Sequence, residues 1–417
     1  MKREIIEIAK RTKEAQYQLA NVSVEIINRC LKKMASMLIK NSQQILEANR
    51  KDITVAEKEH KSKAFIDRLS LTPKRIKEMA NSLEEIASLR TPVNEIIKGW
   101  TRPNGLVINK VRVPIGVICI IYEARPNVTS DCVGLCMKTF NGLILRGGGS
   151  SFNSNITIIN ILKRALKEEN LPEDTFNYIP FKEREAINVL LKYCKEYIDL
   201  VIPRGGEGLI KIVEKISRIP VIKHYKGICH IYVDKEAEIQ MALDIILNAK
   251  VQRPGVCNAV ETLLIHQDIA NQILPLIKKK LEKYNVEIRG CPLTKKIIPQ
   301  IKSATLKDWK TEYLDLVISI KIVSGVEEAI EHINKYGSKH SDSIITNNYL
   351  TAKKFMERVD SACVYHNAST RFTDGYQFGL GAEMGISTDK LHARGPMGLE
   401  ELTTYKYLIY GTGQIRS

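Results

Sequence analysis

From about residue 106 onward, short apolar runs alternate with amphipathic stretches of helical period. IGVICIIY at 115–122 and LILR at 143–146 indicate buried strands, and SDCVGLCMKTF between them indicates a helix. After KGICHIYVD the alternation begins again, through ETLLIH, LDLVISI and SDSIIT. Strands that alternate with helices predict parallel sheets covered by helices. We therefore expect two parallel-sheet α/β domains.

The flanking segments predict further elements. Residues 3–49 carry apolar side chains at helical spacing, and Thr72-Pro73 marks another helix start because proline suits the first turn. LVINKVRV at 106–113 alternates like an exposed strand, and YKYLIYG predicts a final strand. The segment 366–400 is long for a structureless loop, so we expect it to be functional or packed between domains.

The composition argues against several classes of protein. The net charge is +16, but the lysines are scattered and the longest run is Lys278–Lys280, so a solvated surface is favoured over nucleic-acid binding. The longest apolar run, 115–122, is far shorter than the ~18 residues of a membrane span, and the charged N-terminal residues lack the apolar core of a signal peptide. Nine cysteines without a CxxC pair argue against a metal site and favour a reducing, cytoplasmic compartment.

Two strand–glycine–helix junctions, LILR-GGGSS at 143–151 and LVIPR-GGEG at 200–208, favour phosphate binding. Glycines let the backbone approach a phosphate, and the start of the following helix carries partial positive charge. Arg146 and Arg204 would add charge. Neither junction matches a dinucleotide or P-loop fingerprint, so an ordinary turn is the alternative. Two such junctions in one sheet favour a dinucleotide site.

Cys257 lies behind a Pro-Gly turn in QRPGVCNAVET. A cysteine near a cation or a helix start is a better nucleophile because its thiolate is stabilised, and Arg253 supplies a nearby cation. A buried structural cysteine is the alternative. A hydrolase would need a histidine base. No histidine lies next to Cys257 in the sequence, although His224 and His230 are available at a distance. His230 lies in an alternating strand, where a structural role is favoured.

The stretch EARPNVTSD at 123–131 follows a buried strand with polar residues. Asn127 would be able to donate a hydrogen bond to an oxyanion. The alternative is a polar cap for the helix that follows, a position that asparagine also favours.

Seven stretches together resemble one known family: YEARPNVTSD, LILRGG, IPRGG, QRPGVCNAVETLL, GCPLTKKI, NASTRFTDGYQFGLGAEMGIST and KLHARGPMGLEELTTYKY. From roughly residue 5 onward the chain is similar to the gamma-glutamyl phosphate reductases of the aldehyde dehydrogenase superfamily. The resemblance implies an aldehyde-dehydrogenase-like fold and NADPH-dependent reduction of L-glutamyl 5-phosphate to L-glutamate 5-semialdehyde in proline biosynthesis, with release of phosphate.

The resemblance also implies roles for individual residues. Cys257 would be the nucleophile that displaces phosphate and forms a thioester, and Asn127 would bind the oxyanion. The residues implied in cofactor binding are Arg146 and Gly147 at the adenosine ribose, Gly205 and Gly206 at the pyrophosphate, and Glu312 at the nicotinamide ribose.

The substrate that this resemblance implies is an anionic amino acid, and the segments NASTRFTDG and HARGPMG suit it. Ser369, Thr370 and Arg371 are expected to bind its carboxylate, since arginine offers a bidentate fork. Arg125 or Arg394 is expected to meet the acyl phosphate. For each arginine, a structural ion pair is the alternative.

Two departures from relatives bear on the chemistry. Hydrolytic aldehyde dehydrogenases carry a glutamate base that activates water, whereas the matching stretch here, VIKHYKGICH, has no carboxylate. Its absence would protect a thioester from hydrolysis. In RGGGSSFNSN, Gly149-Ser150-Ser151 replaces the Lys-Glu-type pair usual in relatives, which leaves the choice between NADPH and NADH less determined.

The resemblance further implies a cofactor-binding domain at 1–228 with a returning segment at about 366–400, a catalytic domain at 229–365, and an oligomerisation flap formed by 104–113 and 401–413. Cys257 would face a cleft between the two α/β layers. A homodimer or homotetramer is expected, with a functional link to glutamate 5-kinase. The rival hypotheses are an acylating aldehyde dehydrogenase that uses coenzyme A and a non-catalytic α/β binding protein.

Overall fold

The computed structural model describes residues 1–223 and 226–416, apart from the side chain of Ala64. The helices, in chain order, are α1 Lys2–Leu19, α2 Val24–Lys40, α3 Ser42–Lys58, α4 Lys63–Leu69, α5 Pro73–Ser88, α6 Asn127–Lys138, α7 Phe152–Glu168, α8 Glu185–Tyr193, α9 Glu207–Ile216, α10 Ile239–Val251, α11 Gln267–Glu282, α12 Pro292–Ile297, α13 Val326–Tyr336 and α14 Tyr349–Arg358. The strands are β1 Ile96–Thr101, β2 Val107–Pro114, β3 Val117–Tyr122, β4 Gly142–Gly147, β5 Phe176–Tyr178, β6 Leu200–Arg204, β7 Cys229–Val233, β8 Val260–His266, β9 Glu287–Gly290, β10 Lys302–Ser303, β11 Val317–Val323, β12 Ser341–Ile345, β13 Cys363–His366, β14 Ile386–Ser387, β15 Gly395–Pro396 and β16 Thr403–Tyr410.

The chain divides into two compact units. Unit 1 comprises Met1–Lys223, Gly379–Gly385 and Met397–Ser417, and unit 2 comprises His224–Phe378 and Ile386–Pro396. Most of the segment predicted to return to the first domain therefore lies in unit 2.

Unit 1 contains a four-stranded sheet in the order β5-β4-β3-β6, in which every neighbouring pair is parallel. All six residues of β3 are buried, because helices cover both faces of the sheet. This confirms the predicted strands IGVICIIY and LILR. Strand β6 begins only at Leu200, so the strand predicted for YIDLVIP is shorter than expected.

The N-terminal region forms three helices rather than one, because the chain turns between α1 and α2 and again at Asn41. Ser23 caps α2 by accepting a hydrogen bond from the backbone of Ile26. Thr72 caps α5 in the same way, with Pro73 in its first turn, as predicted. Among the helices described, none is both long and apolar enough to cross a membrane.

A separate antiparallel sheet in unit 1 has the order β1-β2-β16. It contains both strands predicted for the flap. Strand β1 was not predicted, since its residues are largely exposed and give no apolar run.

Unit 2 contains a seven-stranded sheet in the order β10-β9-β11-β8-β7-β12-β13, and all its neighbouring pairs are parallel. A large apolar core lies between this sheet and helices such as α10 and α11. The second α/β layer predicted from the sequence is thus confirmed. Strands β7 and β8 are neighbours at the centre of the sheet, and the loop that precedes β8 carries Cys257.

Candidate active site

Cys257 lies in the turn that joins α10 to β8. All nine cysteines belong to the described part of the chain, and eight of them are buried; Cys257 alone is partly exposed. Burial raises the pKa of six of these buried thiols, for example that of Cys30 to about 12. The alternative reading of Cys257 as a buried structural cysteine does not fit its partial exposure.

Two residues at or just before the start of β7 hold the backbone of Cys257 in place. The Cys229 thiol donates a hydrogen bond to the Cys257 carbonyl oxygen over 3.2 Å. Gly227 packs so closely that a Cβ atom built on it would lie 1.7 Å from the same oxygen. Only a glycine at this position permits that approach.

Glu312 is linked to the Cys257 turn through Gly227. Its carboxylate accepts a hydrogen bond of 2.8 Å from the backbone N–H of Gly227. The structure therefore brings Glu312 close to the Cys257 turn. Its predicted contact with a nicotinamide ribose remains a prediction.

Two of the predicted substrate residues bind the residue that follows Cys257. The Thr370 hydroxyl donates to the Asn258 carbonyl over 2.7 Å. The Arg371 guanidinium donates to the Asn258 side chain and, over 3.0 Å, to that of Gln252. Burial and then the charge of Arg253 lower the pKa of Arg371. These donors are thus used to shape the turn.

Ser369 is buried, and its hydroxyl accepts a hydrogen bond from the backbone of Arg371. Arg394 lies in a different cluster: its guanidinium donates to the carbonyl and the carboxylate of Asp360, over 3.1 and 2.8 Å. Lys339 and Lys390 also pair with Asp360, so the described contacts of Arg394 are those of a structural ion cluster.

In unit 1, Asn127 is the first residue of α6 and its side chain is exposed. The residue at the cap position is Pro126, which makes no side-chain cap hydrogen bond, so Asn127 does not act as the cap that was the alternative. Arg125 is also exposed, and its carbonyl accepts a hydrogen bond from Val128.

The glycine turn after β6 holds an anionic oxygen. The Glu123 carboxylate accepts a hydrogen bond of 3.0 Å from the backbone N–H of Gly206, at the start of α9. A Cβ atom on Gly205 would lie 2.7 Å from the same carboxyl group. Sequence reasoning did not single out Glu123, although an acidic residue directly after a buried strand was a visible signal.

The turn after β4 is packed more tightly. Arg146 is only 6% exposed and donates to the carbonyls of Lys182 and Glu183 over 2.9 and 3.2 Å. Burial lowers its pKa, and its Nε atom has no partner among the described residues. A Cβ atom on Gly147 would lie 2.1 Å from the Asn155 amide, so this glycine serves internal packing.

The histidines considered as bases differ in outcome. His230 is fully buried and its Nδ1 lies 2.9 Å from the Asp342 carboxylate, which confirms a structural role. His224 lies outside the described residues. Within the described ranges, no group of three or more metal-binding side chains is positioned to hold a metal ion.

The aldehyde dehydrogenase family model matches residues 1–311. The chain therefore belongs to the aldehyde dehydrogenase family. Its relatives place it, within that family, among the gamma-glutamyl phosphate reductases. The enzyme of that name from Thermodesulfovibrio yellowstonii is 54% identical over 416 residues, which cover 100% of this chain and 99% of the relative. The one from Thermoanaerobacter pseudethanolicus is 57% identical over 98% of each chain.

The crystal structure of gamma-glutamyl phosphate reductase from Thermotoga maritima superposes with a TM-score of 0.96, at 48% identity, over 99% of this chain and 100% of that one. The aldehyde-dehydrogenase-like fold is thereby established.

Proposed function

We propose that this chain catalyses the NADPH-dependent reduction of L-glutamyl 5-phosphate to L-glutamate 5-semialdehyde, with release of phosphate, in proline biosynthesis. The names of its relatives support the reaction. The single observation that carries the mechanism is the clamped, partly exposed Cys257, because a thiol that forms an acyl intermediate must be reachable and fixed.

In the proposed mechanism, the Cys257 thiolate attacks the acyl carbon of the substrate. Asn127 donates to the oxyanion that develops, an assignment that rests on the RPNVT motif and its exposed side chain. Collapse of this species breaks the acyl–oxygen bond, releases phosphate and leaves a thioester on Cys257. After reduction, the carbon–sulfur bond breaks, the aldehyde leaves and the thiolate is restored.

NADPH, when bound, supplies the hydride that the acyl carbon accepts. The turn at Gly205 and Gly206 fits its pyrophosphate, because the Glu123 carboxylate already shows that an anionic oxygen is accepted at the Gly206 amide. Arg146 and Gly147 fit a direct contact with the adenosine ribose less well. Arg146 already donates to two backbone carbonyls, and Gly147 is closely packed against other side chains. Their proposed role is therefore to shape the turn.

Water must not consume the thioester. VIKHYKGICH offers no carboxylate to activate a water molecule, which supports phosphate as the acceptor in the reverse direction. For the substrate itself, we keep Ser369 and Arg125 as the proposed contacts of the carboxylate and the phosphate. Thr370, Arg371 and Arg394 are proposed chiefly to hold in place the segments of the chain that they contact.

The test is the reverse reaction. Glutamate 5-semialdehyde is supplied with NADP⁺ or NAD⁺, and with phosphate, coenzyme A or neither, while reduced nicotinamide is followed by absorbance. Phosphate-dependent formation of NADPH is expected, and Cys257→Ser should abolish it. Cys30→Ala, which changes a buried thiol of unit 1, is the matched control.

A requirement for coenzyme A in place of phosphate would instead identify an acylating aldehyde dehydrogenase. Turnover that persists in Cys257→Ser would remove the thioester mechanism. No turnover with any acceptor in the unaltered protein would favour a binding protein.

We also propose a cytoplasmic homodimer or homotetramer assembled through the sheet β1-β2-β16. Several side chains of β16, including Tyr405, Tyr407 and Ile409, are at least half exposed, which is unusual for apolar residues of a strand. A glutamate 5-kinase would supply the acyl phosphate. Sedimentation of the purified protein measures the oligomeric state.

A further inference from the structure

The Cys257 turn is closed at its base by a buried ion pair. Lys250 lies in the last turn of α10 and Glu261 is the second residue of β8, and both side chains are 0% exposed. The Lys250 ammonium donates to the Glu261 carboxylate over 2.7 Å and to the Val260 carbonyl over 3.0 Å. Every residue of the turn lies between these two partners in sequence.

The pair is not needed merely to fill space. Moving two charges out of water is costly, and well-packed apolar residues of similar volume often serve stability as well or better. The cost is visible here: burial raises the pKa of Glu261 to about 7 and lowers that of Lys250. A role in fixing the geometry of the Cys257 turn therefore explains the pair better than stability does.

The second oxygen of Glu261 extends the link to another segment. It accepts a hydrogen bond of 3.2 Å from the backbone N–H of Leu314, whose φ of +54° lies in the left-handed region. Two residues earlier is Glu312, which binds the N–H of Gly227. Gly227 in turn packs against the carbonyl of Cys257.

We propose that Lys250 and Glu261 are positioning residues for Cys257. One carboxylate ties the end of α10, the start of β8 and the 312–314 segment together, and that segment fixes Gly227 against the Cys257 carbonyl. A glutamine at position 261 offers one acceptor oxygen instead of two and turns an amide towards the ammonium, so it cannot satisfy both partners. The inference rests on the proposed function for its kinetic consequence, but its structural consequence is independent of any substrate.

The experiment compares Lys250→Met, Glu261→Gln and the double variant K250M/E261M with the unaltered full chain. Lys321→Met is the matched control, since it removes an ion pair with Glu328 elsewhere in unit 2. For each protein, kcat and KM are measured in the reverse reaction, and hydrogen exchange is followed by peptide.

The single variants are expected to lose about tenfold or more in kcat, with KM for NADP⁺ within about twofold, because a small misplacement of the nucleophile lowers the rate steeply. Exchange should quicken in peptides covering 226–228 and 252–260. The double variant should recover global stability but neither the kcat nor the local protection, which a purely structural role would not produce.

A double variant that keeps more than half of kcat, or whose exchange at 226–228 and 252–260 is unchanged, would overturn the proposal. So would failure of the double variant to fold while Lys321→Met folds, since the pair would then serve the fold itself. If the unaltered protein shows no reduction, the proposed function fails, and the exchange data alone decide the inference.

Discussion

The Cα atom of Gly227 lies directly against the carbonyl group of Cys257, closer than any side chain would allow. We expect Gly227→Ala to displace the turn and lower kcat about 100-fold, since a shift near 1 Å at the nucleophile has effects of that order. Gly255→Ala is the comparison. A Cβ atom there would meet only the Leu314 carbonyl at 3.7 Å, so activity should stay within about threefold. Equal losses in the two variants, measured in the phosphate-dependent assay, would contradict this account.

Arg371 is expected to act through its fork. A lysine lacks the planar fork with which Arg371 donates to Gln252 and to the Asn258 side chain, so Arg371→Lys should lose about 5- to 150-fold in kcat/KM, which corresponds to a lost hydrogen bond of about 1–3 kcal/mol. Arg358→Lys on α14 serves as the control. Near-normal kinetics of Arg371→Lys would indicate that only its charge matters.

Glu123 occupies the position at which a cofactor phosphate is proposed to bind. A charge at a helix start contributes about 0.3–1 kcal/mol, so Glu123→Ala should tighten NADPH binding about two- to fivefold in a fluorescence titration. Glu214→Gln alters a carboxylate further along α9, paired with Lys223, and should change nothing. Weaker binding in Glu123→Ala would mean instead that this carboxylate is itself a cofactor ligand.

His332 makes the stability of unit 2 dependent on pH. It is buried, neither ring nitrogen has a partner among the described residues, and burial followed by the charges of His230, Lys321 and Lys335 lowers its pKa to about 2. Below its ordinary pKa of about 6.5, the unfolded chain binds a proton that the folded chain does not. Stability is therefore lost as the pH falls below that value, by about 1.4 kcal/mol per pH unit for one proton.

His332→Phe should remove this loss. Denaturant midpoints at about pH 7 and about pH 5 are expected to differ less in the variant than in the unaltered protein, while His60→Gln, at an exposed position, should leave the difference unchanged. An identical pH dependence in His332→Phe would show that other groups are responsible.

Strand β16 is expected to lie in a subunit interface. Tyr407→Glu would place a charge among exposed apolar side chains, and self-association should weaken about tenfold or more, as seen by sedimentation. Tyr349→Glu changes a tyrosine of α14 that is 73% exposed and should have no effect. If the unaltered protein is a monomer at all concentrations, the assembly prediction is wrong.

Elements were predicted best from the sequence where a strand is buried on both faces and is therefore a continuous apolar run, as in β3. It failed where that signal is absent: the residues of β1 are exposed, and the break between α2 and α3 falls at Asn41 inside a continuing helical pattern. Loop 252–259 was singled out because proline, glycine and cysteine follow one another within it.

The supports of that turn could not be predicted. Gly227 belongs to no motif, and Glu312 was named only as a cofactor contact; their support of the turn comes from contacts between residues far apart in the chain. Glu123 meets Gly206 across 83 positions. For Arg371 the difference is in the other direction. Its charge suggested a contact with a ligand, whereas in the structure its guanidinium contacts Gln252 and Asn258.

The three-stranded sheet joins β2 to β16, whose residues lie almost 300 positions later. During synthesis the ribosome must therefore add almost 300 further residues after β2 before β16 can pair with it, whereas the parallel sheet of unit 1 can assemble much earlier. Until then β2 presents an open edge in the nascent protein, and such an edge is a template for pairing with another chain.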